Sequence, residues 1–86
     1  MRLSKEIRNE MAGLEAKGWV FSTCERHDPG ATSMSGRVYS DPFWVVRYRN
    51  SDGTLRGNGD SADSCDDAAR KAIGAVLLHI AREPPV

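Results

Sequence analysis

The sequence predicts an α+β domain. The expected architecture is a two-layer αβββα arrangement, a three-stranded antiparallel sheet with two helices on one face. Three observations lead there. Apolar residues recur at helical spacing near both ends of the chain. Phe43 to Arg49 is rich in aromatic and β-branched residues, and its two faces differ, since both charged side chains fall on one of them. Between that run and Thr54 lies Asn50-Ser51-Asp52-Gly53, a hairpin turn whose Asp-Gly pair supplies the positive backbone angle.

The first helix begins near Ser4, whose hydroxyl can accept from an otherwise unpaired amide one turn on. Ile7, Met11 and Leu14 make its apolar stripe, and Gly18 can take the left-handed conformation that ends it. Trp19 to Glu25 reads as the first strand. His27 to Gly36 is a loop of turn-forming residues, and Arg37 to Ser40 could extend the next strand until Asp41-Pro42 interrupts it. In Phe43 to Arg49, the alternation sends Trp44, Val46 and Tyr48 to one face and Phe43, Val45, Arg47 and Arg49 to the other. The first set carries no charge and is placed against the helices. Thr54 to Gly59 is the third strand, with Leu55 facing the core and Arg56 the solvent. The second helix runs from Asp63 or Ser64 to Ala81 or Arg82, and Pro84-Pro85 stops it. Its apolar face comprises Cys65, Ala68, Ala69, Ala72, Ile73, Val76, Leu77 and Ile80.

With 86 residues the chain makes one domain, residues 1–86, and holds one modest core. Twelve basic and twelve acidic side chains give a formal net charge of zero, so no whole-protein attraction to nucleic acid or anionic membrane is expected. No stretch approaches the roughly 20 apolar residues of a membrane span, and the charged start predicts no signal peptide. Two cysteines, Cys24 and Cys65, are fewer than a disulfide scaffold of this length carries. They predict two reduced thiols in a cytoplasmic protein.

Few motifs carry chemistry. Cys24-Glu25-Arg26-His27 has the spacing of half a zinc site, but the other half would have to come from Cys65 and His79, which lie several turns apart on the second helix, so no metal and no cofactor is expected. His27-Asp28 lacks a positioned serine nucleophile, and no pair of catalytic carboxylates stands out, so no enzyme activity is expected. Gly57-Asn58-Gly59 reads as a tight strand-to-helix connection, because the acidic helix start behind it disfavours a phosphate.

Charge, by contrast, is sorted. Arg47, Arg49 and Arg56 share the open sheet face with Phe43 and Val45, and arginine beside exposed apolar side chains is interface composition. Asp60, Asp63, Asp66 and Asp67 gather near the start of the second helix, where they cap it and complement its dipole or form an acidic docking patch. These eight residues (Phe43, Arg47, Arg49, Arg56, Asp60, Asp63, Asp66 and Asp67) are the candidate partner-binding set.

Phe43 to Leu78 resembles the C-terminal half of the double-stranded RNA-binding domain. The likeness rests on the aromatic-led strand, the turn, the segment Gly57-Asn58-Gly59-Asp60-Ser61 and the alanines of Ala68-Ala69 and Ala72-Ile73. It implies an αβββα fold and duplex RNA as partner, with Arg37, Arg47, Arg49 and Arg56 as the available cations. That family grips phosphates with lysines at the start of its last helix, whereas Ala62 to Asp67 carries three carboxylates here. In general character the short, motif-poor chain also resembles small phage anti-CRISPR proteins. That likeness implies a non-enzymatic inhibitor, encoded by a phage or mobile element, that blocks a host nucleoprotein complex such as a Cas complex by protein–protein contact. A homodimer through the open sheet face is compatible with the same pattern.

Overall fold

The computed structural model describes residues 3–28 and 40–82. Its elements are α1 (Lys5–Glu15), β1 (Val20–Phe21), β2 (Glu25–His27), β3 (Phe43–Arg49), β4 (Arg56–Ser61) and α2 (Cys65–Ala81). The α+β class is as expected. The loop from Pro29 to Gly36, the strand extension from Arg37 to Tyr39 and the Pro84-Pro85 stop lie outside the described residues.

Both helices start where the capping residues place them. The Ser4 hydroxyl accepts from the Ile7 amide at 3.3 Å, and the Ser64 hydroxyl accepts from the Asp67 amide at 3.0 Å. Gly18, at φ 99°, lets the Trp19 amide turn back onto the Leu14 carbonyl.

The sheet has four strands, not three. β3 is central, with β4 along one edge and β1 and β2 lying end to end along the other, all antiparallel. The strand expected over Trp19 to Glu25 is broken by a bulge. Phe21 pairs with Tyr48 but Glu25 pairs with Val45, so four steps along one chain oppose three along the other. Ser22 bridges the break. Its amide donates to the Arg47 carbonyl at 2.8 Å, and its hydroxyl accepts from the Arg47 amide at 2.8 Å.

The extra residue inverts the alternation beyond it. Phe21 points inward with Tyr48. Without the bulge Cys24 would point outward; with it, Cys24 packs against the core and Glu25 and His27 take the outer face. Cys24 thereby reaches Cys65 in the first turn of α2, and the two sulfurs form a disulfide with Cα atoms 6.0 Å apart. This corrects the expectation of two reduced thiols. A cysteine count cannot reveal that a bulge turns one of the two toward the other.

One face of the sheet meets both helices. Ile7, Met11, Leu14 and Trp19 pack with Val46, Tyr48, Ala68, Ala69, Ala72, Ile73 and Val76, and half-buried Trp44 packs against them. The alanines permit close approach, and Gly59 completes it. A Cβ on Gly59 would collide with the backbone of α2 at Ala68 and Ala72.

The Asn50-Ser51-Asp52-Gly53 turn forms as expected, with the Gly53 amide donating to the Asn50 carbonyl at 3.2 Å and Gly53 at φ 75°. The hairpin loop runs on beyond it, because Asn50 closes it from both its backbone and its side chain, and two expectations about apolar side chains are corrected. The Asn50 amide donates to the Leu55 carbonyl at 2.9 Å, and its Oδ1 accepts from the Leu55 amide at 3.1 Å. Leu55 is therefore an exposed loop residue and does not face the core. Leu77, assigned to the buried face of α2, is 52% exposed.

Candidate partner-binding face

β3 sends Arg47 and Arg49 to the face away from the helices, and β4 sends Arg56 to the same face opposite Arg49. All three are exposed. With Val20 and Ser22 from the first edge they line an open depression of about 420 Å³, completed by Phe21, Tyr48 and Gly57. Val20 is exposed within it, so the depression has an apolar wall among three guanidinium groups.

The arginines differ in what holds them. Arg47 lies 3.4 Å from Glu25. That exposed pair adds little stability but orients the guanidinium. Arg49 donates to the carbonyls of Asn50 at 3.2 Å and Ser51 at 3.5 Å and has no carboxylate partner among the described residues. Arg56 has no ion pair among the described residues. Two positive charges with no carboxylate partner among the described residues therefore sit side by side at the hairpin end of the sheet.

The other half of this face is closed. Phe43 is 0% exposed and Val45 3% exposed, and the His27 ring stacks on Phe43 at 5.2 Å between centroids. Phe43 is thus a buried residue and not part of an open docking face, which corrects its place in the candidate set. His27 also lies 3.4 Å from Glu25, while Asp28 pairs with Arg26 at 3.6 Å.

The four aspartates do not form one patch either. Asp60 is buried on β4, where it accepts from Asn58 at 3.3 Å. Asp66 accepts from the Ser4 amide at 2.9 Å. Asp67 accepts from the Ser61 hydroxyl at 2.6 Å and lies 3.4 Å from Lys71. The Ser61 hydrogen bond, helped by Lys71 and Arg70, holds the Asp67 carboxyl below its ordinary value against a smaller opposing effect of burial. Asp63 alone of the four is exposed.

A second cluster lies under the sheet. Trp19 stacks on His79 at 5.9 Å, and the Tyr48 hydroxyl lies 3.5 Å from His79 Nε2. Burial pushes the Tyr48 hydroxyl above its ordinary pKa. Gly57 makes room for it, since a Cβ there would stand 2.6 Å from the hydroxyl oxygen.

Among the described residues no group of three or more His, Cys, Asp and Glu could hold a metal ion, and both cysteine sulfurs are taken up by the disulfide. No described helix is long and apolar enough to cross a membrane. No protein-family model, no curated protein and no solved structure matches this chain.

Proposed function

We propose that the chain is a non-enzymatic binding protein that docks on an acidic segment of a protein partner through Arg47, Arg49 and Arg56. The observation that carries this reading is the pairing of two guanidinium groups, Arg49 and Arg56, that have no ion pair among the described residues, with exposed Val20 around one depression. Arginine can make bidentate contacts to carboxylates, and an apolar wall beside it gives the burial on which hot spots depend. The net charge of zero and Glu25 on the same face favour a protein over the regular phosphate array of a nucleic acid.

The inhibitor reading, in which a phage or mobile-element protein disables a host nucleoprotein complex, fits this face when the contacted surface is acidic. Mimicry of nucleic-acid phosphates draws support from Asp63 alone, since Asp60, Asp66 and Asp67 are engaged inside the fold. The disulfide supports a compartment that sustains disulfides in preference to the reducing cytoplasm.

The test is a binding titration with a glutamate-rich peptide and, in parallel, a duplex RNA and a duplex DNA at low salt. Retention of the peptide by the wild type, and its loss in Arg49→Glu with Arg56→Glu at unchanged melting temperature, is the expected result. Duplex retention that falls steeply with salt, without peptide binding, would replace this reading with the RNA-binding one.

A further inference from the structure

We propose that the groove between α1 and α2 is the interface of a symmetric homodimer. α2 has two apolar stripes. One is the core face. The other is Gly74, Leu77, Leu78 and Ala81, which recur at three- and four-residue spacing and all face outward. Leu77 and Leu78 are 52% and 57% exposed, the two most exposed large apolar side chains among the described residues. Leu77 also borders an open groove of about 340 Å³, whose other walls are Glu10, Gly13, Leu14, Lys17 and Ile73.

Two helix-interior glycines accompany these features: Gly13 lines the groove, and Gly74 begins the outward stripe of α2. A Cβ on Gly13 or on Gly74 would meet nothing within 4 Å, and neither residue has a positive φ. The fold of the single chain therefore gives no reason for glycine at either place, although glycine weakens a helix. A neighbouring helix that approaches closely does give one.

Charge identifies the occupant. Glu10 and Lys17 stand on either side of Gly13, are exposed, and form no ion pair within the described chain. A two-fold axis beside Gly13 sets Glu10 against Lys17 of a second copy, and Lys17 against its Glu10. A second copy is complementary to this surface by construction, which is the property of an isologous interface. The sheet face lacks that property, because the same operation there would set Arg47, Arg49 and Arg56 near their own counterparts.

Sedimentation velocity of the full chain over a concentration series tests the proposal. The wild type is expected to show a concentration-dependent dimer. Leu77→Asp with Leu78→Asp should be monomeric throughout and keep its melting temperature. Gly13→Leu should keep its helix and lose the dimer. Glu10→Lys should weaken association about tenfold or more, and adding Lys17→Glu should restore it by exchanging the charges across the axis. A wild type that is monomeric at every concentration overturns the proposal. So does a dimer that survives the leucine substitutions, or a double charge exchange no stronger than Glu10→Lys alone.

Discussion

The Ser4 amide donates a 2.9 Å hydrogen bond to the Asp66 carboxylate, joining the starts of the two helices across 62 positions of sequence. Asp66→Ala should therefore lower stability by about 1 kcal/mol through loss of a charge-assisted bond at a half-buried site. It should leave peptide binding unchanged. Denaturant unfolding beside the binding titration checks both, and a binding loss at full stability would return Asp66 to the docking surface.

The disulfide closes a loop between residues 41 positions apart. Chain entropy assigns such a cross-link about 2–4 kcal/mol. Cys24→Ala with Cys65→Ala should lose that much in urea unfolding. A thiol titration of the denatured wild type should find no free sulfhydryl.

Gly59 lies beneath α2. Gly59→Ala forces the helix away from β4 and should cost about 2–3 kcal/mol, as overpacking at a rigid contact does. An unchanged melting temperature would mean that α2 sits farther from the sheet.

Phe43 lies at the far end of the closed half of the outer face, beyond Val45. Phe43→Ala should cost about 3–5 kcal/mol, the range for a fully buried aromatic ring. Arg49→Glu with Arg56→Glu should cost little. Thermal melts of the two variants side by side check the contrast.

Asp67 makes stability depend on acid. Its folded-state pKa is lowered, so its contribution is present above the ordinary carboxylate value and is lost as pH falls through the lower folded value. The melting temperature should drop as pH falls below about 4, the ordinary carboxylate range. Asp67→Asn should flatten that acid limb and leave the neutral plateau nearly level.

Much of the architecture was legible in the sequence. Both helix starts follow from serine hydroxyls, and the two faces of β3 follow from the alternation between Trp44 and Arg49. The break at Ser22 was not, because Ser22 and Thr23 suit either face of a strand and carry no periodic signal. Missing it meant missing the inward turn of Cys24, and the disulfide with it. The arginines were legible because alternation alone places them. Of the two readings open for the aspartates, capping or a docking patch, the hydrogen bonds of Asp60, Asp66 and Asp67 favour the first. Ser64 with Asp67 three residues later is a capping pattern, and it was the available signal. Phe43 shows the remaining limit, since alternation gives a side chain its face but not whether another ring lies over it.

The break at Ser22 also bears on self-association through main-chain pairing. An exposed sheet border offers unpaired amides and carbonyls as a template for a strand from another molecule. Here that border consists of two residues, a kink and three residues, with charged Arg26 midway along the second piece. An incoming strand that follows β1 falls out of register at β2. Fibrillar growth from this side has no continuous row of donors and acceptors to copy.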